Sequence, residues 1–243
     1  MPGRKAPRDT APGGQAPRAA APSAIALLII DMQRDFLDAA GYVAQTGVDV
    51  GILRETIEPV RRLLAAARAA GIKVVHTREG HRPDLSDLTA VKQRRASGAG
   101  APIGSAGPLG RLLVRGEPGH AIIDEVAPLP DETVIDKPGF SAFYATDLDL
   151  VLRSAGITSL AIAGVTTDVC VHSTLRDAVD RGFECTTVGD ACAAGDPAIH
   201  AAMLACIAGE GGILGRVVNT DGIVNAWSAA GQVQFERPDK AQS

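Results

Sequence analysis

A three-layer α/β/α fold, with an open sheet of about six parallel strands, is predicted by two features of the sequence. Apolar runs of strand length alternate along the chain with segments of helical period. The runs are also continuous rather than alternating, as in Ala24-Ile25-Ala26-Leu27-Leu28-Ile29-Ile30, which marks strands covered on both faces.

That first run ends at Asp31. Residues 51 to 70 read as a helix, with Leu53, Ile57, Val60, Leu63, Leu64 and Ala67 at helical spacing and Gly71 as the stop. Pro59 within it signals a kink or a late start. Ile72 to Thr77 is the second strand, and Thr133-Val134-Ile135 a short third. Leu148 to Ser154 lies in a helix, Ile157 to Ala163 is the fourth strand and Phe183 to Val188 the fifth. Pro197 to Ala208 is a helix and Gly215 to Val218 the sixth strand. The tail after Asn225 is expected to pack on a neighbouring subunit through Trp227 or Phe235.

Length and composition fit this reading. At 243 residues, 46% hydrophobic and 21% charged, residues 24 to 243 suit one large domain with an ample core. Residues 1 to 23 are Pro, Ala, Gly and Arg with few bulky apolar side chains, so a disordered extension is expected there. That extension carries net +3, so a chain of net −4 leaves −7 on the rest, which argues against nucleic acid as the main partner. No apolar run approaches the ~20 residues of a membrane span. Four cysteines, at 170, 185, 192 and 206, lack metal-type C-x-x-C spacing and suit a reducing, cytoplasmic setting. Cys185 and Cys206 read as structural, whereas Cys192 is placed to approach a site at the sheet edge.

Parallel α/β sheets place their sites at the carboxyl ends of the strands. Three chemistry-bearing residues pass this filter: Asp31 after the first strand, Lys137 after the third and Cys170 after the fourth. Thr167 and Asp168 are good N-cap types, which puts Cys170 in the first turn of the following helix. The positive end of a helix favours thiolate over thiol. A carboxylate, an ammonium and a thiol together make a nucleophilic site: Asp31 takes the thiol proton and Lys137 stabilises the charges that develop. Taken singly, each has a plainer reading as a capping Asp, a solvated Lys or a buried Cys.

Three segments carry a family resemblance: Asp31-Met32-Gln33-Arg34-Asp35-Phe36, Lys137-Pro138-Gly139-Phe140-Ser141-Ala142-Phe143 and Gly164-Val165-Thr166-Thr167-Asp168-Val169-Cys170. In this order they resemble the signatures of the isochorismatase-like cysteine hydrolases, over roughly residues 24 to 219. The resemblance implies a Rossmann-like sheet and a catalytic triad of Asp31, Lys137 and Cys170. It further implies a cis peptide between Val165 and Thr166, and an oxyanion hole from the Thr166 and Cys170 backbone N–H groups. Phe36, Gln33, Phe143 and Glu210 are expected at the substrate. The implied reaction is hydrolysis of a linear amide through a thioester, with release of ammonia. It needs no cofactor, and the implied assembly is a homo-oligomer, a tetramer or dimer.

The stretches Thr77 to Leu88 and Gly110 to Glu117 look most like the biuret and triuret hydrolase branch, with ureidoacrylate amidohydrolases further away. Phe140 and Glu210 stand where a biuret enzyme is expected to carry lysine and glutamine, and a carboxylate repels the carbonyl that an amide would bind. Residues 80 to 130 are expected to cover the site as an irregular lid. Glu79-Gly80-His81 imitates part of a nicotinamidase metal motif, but the later histidine has no clear match beyond His120, so no metal is expected. Besides an amidohydrolase acting on a ureido or carbamoyl compound, two other classes remain open: a ligand-binding homologue without turnover, and a redox thiol protein using Cys170 and Cys192.

Overall fold

The computed structural model describes residues 24–235. The extension expected to be disordered lies outside them, as does the side chain of Phe235. Six parallel strands form the main sheet: β1 (Ile25–Ile30), β2 (Lys73–Glu79), β3 (Thr133–Lys137), β4 (Ser159–Val165), β5 (Glu184–Ala193) and β6 (Arg216–Val218). Their spatial order is β3-β2-β1-β4-β5-β6. The order therefore reverses between β1 and β4, the crevice where open α/β sheets bind ligands.

The continuous apolar runs are explained by burial on both faces. Leu27 and Ile29 of β1 join one core with Val60, Leu63 and Leu64, while Ala26, Leu28 and Ile30 join the other with Leu152, Leu160 and Leu175. Helix α1 (Ile57–Ala69) buries Val60, Leu63, Leu64 and Ala67. Residues 51 to 70 are thus not one helix: a short turn, Val50–Arg54, precedes α1. Pro59 sits in the first turn of α1, where its missing N–H costs no helical bond.

Three further departures from expectation have physical causes. Residues 80 to 130 contain helix α2 (Ala90–Gly98), capped by Thr89, whose side chain accepts from the Lys92 N–H. Only Ala96 of α2 is buried, so it left no apolar period to read. A small hairpin, Ala106–Gly107 with Gly110–Arg111, follows it. Strand β5 runs on to Ala193, because the ladder with β4 resumes after a register shift between Ile162 and Gly164. Trp227, on the C-terminal helix Thr220–Phe235, is buried in its own chain's core rather than offered to a neighbour.

Gly164 sits at this irregularity with a φ of 115°, and a Cβ there would overlap the Ile30 carbonyl oxygen. Gly164→Ala is expected to destabilise the fold by at least about 1–3 kcal/mol, read as a lower denaturant midpoint. An unchanged midpoint would show that β1 and β4 can separate at this level.

Candidate active site

Asp31 directly follows β1 in a left-handed conformation, φ 50°, and is fully buried. Thr77 of β2 holds it there, donating to Asp31 Oδ1 at 2.6 Å and accepting from the Asp31 N–H at 3.2 Å. Lys137 is the last residue of β3, and no part of it is exposed. Its ammonium contacts Asp31 Oδ2 at 2.8 Å, the Gly139 carbonyl at 3.0 Å and Cys170 Sγ at 3.3 Å. An amine so deep persists as a cation only when paired in this way.

Cys170 lies in a single π-helical turn, Thr167–Val171, between β4 and helix α3 (His172–Asp180). Thr166, rather than Thr167 or Asp168, takes the cap position, and its carbonyl accepts the Val169 and Val171 N–H groups. Such turns recur at functional sites because they re-aim one side chain. The Val165–Thr166 peptide is cis.

The structure adds a fourth group, Glu79, which ends β2. Cys170 Sγ donates to Glu79 Oε2 at 3.2 Å, and Lys137 Nζ lies 3.6 Å from the same oxygen. Lys92 of α2 donates to Glu79 Oε1 and, at 2.7 Å, to the Pro138 carbonyl. Glu79 passes the strand-end filter that selected Asp31 and Lys137. By its local string, Glu79-Gly80-His81, it resembles only part of a metal motif.

Electrostatics make the resting thiol neutral, against the expectation of a thiolate. Burial pushes the Cys170 thiol well up; Lys137 opposes this, while Glu79 and Asp31 reinforce it. Burial also raises Asp31, against the pull of Lys137. For Glu79 burial pushes up, but Lys137 and Lys92 outweigh it and the carboxyl lies below its usual range. Lys137 is raised: burial disfavours its charge, yet Asp31, Cys170 and Glu79 together prevail.

A cavity of about 520 Å³ opens over the thiol. Phe36, Tyr42 and Leu113 line it beside Glu79, Thr166 and Cys170, and Lys92 and Arg95 of α2 form its charged wall. Phe36 thus stands where it was expected, whereas three other candidates do not. Gln33 is buried, with its amide spent on the backbone: it donates to the Glu79 and His120 carbonyls and accepts from the Glu79 N–H, so it positions Glu79. Phe143 stacks on Phe183 at 5.9 Å, away from the cavity. Glu210 is exposed in the turn between helix α4 (Pro197–Ala208) and β6, at the amino edge of the sheet. A helix that leaves β5 at the carboxyl edge must end at the opposite one.

Ligand atoms of Asp31, Glu79 and Cys170 lie within 4.8 Å of one another, a spacing that can suit a cation. The Lys137 ammonium is already in contact with all three side chains and supplies that charge. His81 bonds Asp87 at 3.1 Å, and burial with the nearby Arg78 holds His120 at about 4, so both serve the packing of the insertion. Cys192 is buried within β5, burial pushing it up to about 12, and Cys206 is exposed rather than structural. All four cysteines are free thiols.

Comparison with known proteins agrees with this architecture. The Isochorismatase domain profile matches residues 25–218. Ureidoacrylate amidohydrolase RutB of Methylorubrum extorquens is 36% identical over 203 residues, covering 79% of each chain. The protein of that name from Acinetobacter baylyi is 35% identical over 191 residues, 74% of this chain and 75% of its own. A cysteine hydrolase from Pseudomonas syringae superposes with a TM-score of 0.74 at 28% identity, over 87% of this chain and 95% of its own. N-carbamoylsarcosine amidase from Thermoplasma acidophilum gives 0.62 at 27% identity, over 81% and 96%. With the profile spanning nearly all the described residues, the chain belongs to the isochorismatase family.

Proposed function

We propose that this protein is a cysteine-dependent amidohydrolase that cleaves a small linear ureido compound and releases ammonia. It is a hydrolase of amide C–N bonds, and the observation that carries the cysteine reading is the thiol of Cys170 in contact with a buried Lys137 that is itself paired with Asp31. Cys170 attacks the carbamoyl carbon, and the oxyanion rests on the N–H groups of Thr166 and Cys170. The C–N bond breaks as the departing nitrogen takes up the proton that the thiol gives up and leaves as ammonia, and the carbonyl carbon stays on Cys170 sulfur as a thioester. Asp31 then activates the water that cleaves the thioester, with Lys137 holding the charge balance.

Several features support the finer points. Lys92, Arg95, Ala96, Ile103 and Leu113 all come from the segment between β2 and β3, which acts as the cover of the site. The exposed Arg95 suits a substrate carboxylate, as in ureidoacrylate, the compound named for the relatives, more than neutral biuret. A homo-oligomer fits α4, which carries no charged side chain yet leaves most of its residues, Ile199 among them, exposed. No helix among the described residues is long and apolar enough to cross a membrane.

Ammonia release from ureidoacrylate, an N-carbamoyl amino acid, biuret, triuret and nicotinamide tests this reading. Turnover is expected with carboxylate-bearing ureido compounds. Arg95→Glu is expected to raise KM for these about tenfold and to leave biuret unaffected. Turnover of nicotinamide alone, or of none of the five, would contradict the substrate class.

A further inference from the structure

We propose that Glu79 selects ureido compounds, its Oε2 accepting the N–H of the nitrogen that stays on the substrate while the other nitrogen leaves as ammonia. This rests on the amidohydrolase reading, with Asp31 taking the thiol proton, and names what the substrate must carry beside the scissile bond. A ureido carbon bears two nitrogens, whereas the carbon of a carboxamide such as nicotinamide bears one nitrogen and one carbon. Only the ureido compound offers an N–H on the retained side.

The position of Glu79 carries the assignment. It lines the cavity, and its Oε2 lies 3.2 Å from the sulfur that attacks. A substituent on the attacked carbon is two bonds from that sulfur, which brings it within hydrogen-bond reach of Oε2. The groups on the tetrahedral carbon are then sorted by their surroundings. The oxyanion takes the Thr166 and Cys170 N–H groups. The departing nitrogen must meet the proton on Asp31, an oxygen of which lies within 4.8 Å of the sulfur. The retained nitrogen is left facing Glu79.

This carboxylate is placed to accept. Burial pushes Glu79 up, but Lys137 and Lys92 outweigh it and keep it ionised. Lys92 clamps the other oxygen, and the Gln33 amide bonds both the Glu79 N–H and its carbonyl, so Oε2 stays fixed towards the thiol. In the resting site the thiol itself donates to Oε2, while Lys137 at 3.6 Å lies beyond hydrogen-bond distance of it. The substrate N–H replaces the S–H there as the sulfur gives up its proton. Without that N–H an ionised oxygen would lose its donor beside a new thiolate, so the penalty falls on acylation.

The step closes without any further reactant. Sγ–H gives its proton to Asp31, the sulfur bonds to the carbonyl carbon, and the π pair moves onto oxygen. When that pair returns, the bond to the terminal nitrogen breaks; this nitrogen takes the proton from Asp31 and leaves as ammonia. The retained N–H stays on Glu79 in the thioester, and Glu79 itself neither gains nor loses a proton.

Ureidoacrylate and 3-(1-methylureido)acrylate, in which a methyl group replaces that N–H, test this in wild type and Glu79→Gln. Wild type is expected to prefer ureidoacrylate by about 100-fold or more in kcat/KM. With Lys92 holding the amide oxygen, Glu79→Gln turns an NH2 donor towards the substrate, and the preference is expected to fall to within about threefold. A packing defect would slow both compounds and leave their ratio at the wild-type value, as would exclusion of the methyl group by bulk alone, and that ratio would overturn the proposal. Equal turnover of the two by wild type would overturn it too, with the amidohydrolase reading intact. Ammonia from neither compound in the wild type would remove the ureidoacrylate reading, and the proposal with it. Should Glu79→Gln fail to fold, Glu79→Asp keeps the charge and withdraws the acceptor by one methylene group. There the preference is expected to fall to about tenfold, and a wild-type preference would overturn the assignment.

Discussion

Lys137→Met is expected to abolish turnover and to destabilise the fold by about 3–5 kcal/mol, the cost of removing one partner from a buried ionic group. The ammonium lies 2.8 Å from Asp31 and 3.6 Å from Glu79, and it is fully buried with them. Without it, two carboxylates with oxygens within 4.8 Å of each other would face one another across a dry site. Methionine fills the volume but supplies no charge. Burial already raises Asp31 in the intact protein, and losing Lys137 raises it further. A carboxyl raised above its unfolded value binds its proton more readily when folded, so the penalty is largest at neutral pH and shrinks as pH falls towards the raised value. Chemical denaturation at several pH values checks this: the gap between variant and wild type should narrow on acidification. A gap that widens instead would show that the carboxylates are not what Lys137 holds.

Cys170→Ala is expected to lower ammonia release by about 10⁴-fold or more, the scale on which loss of a covalent nucleophile is felt. Its effect on the fold should be small, since the side chain is a compact one and its partners Glu79 and Lys137 remain paired with each other. Phe36, Tyr42 and the α2 cations would still line the cavity, so a substrate should bind with near wild-type affinity by calorimetry. Loss of binding and turnover together would point to collapse of the site. Turnover that survives would assign the chemistry to another group.

The sheet and the placing of Asp31, Lys137 and Cys170 at one edge were legible in the sequence, for a definable reason. Continuous apolar runs located the strands, and the residues at their carboxyl ends, Asp31, Lys137 and Cys170, fell together because parallel strands share one edge. What the sequence hid was set by contacts that leave no period. Helix α2 buries only Ala96, yet it delivers Lys92 to Glu79. Gln33 adjoins a motif residue but spends its amide on the β2 backbone. Glu210 is a site candidate only through the family resemblance, and the direction of α4 carries it to the opposite edge. The raised thiol follows first from burial, with Glu79 and Asp31 adding to it against the pull of Lys137, and only the packed site reveals that balance.

The most direct test of the account is intact-protein mass spectrometry of the wild type, quenched in acid during turnover of a ureido substrate. A covalent acyl adduct that maps to the peptide containing Cys170, and is absent from Cys170→Ala, is the expected result. Steady ammonia release with Cys170 unmodified at every quench time would contradict the thioester, and with it the central role given to this thiol.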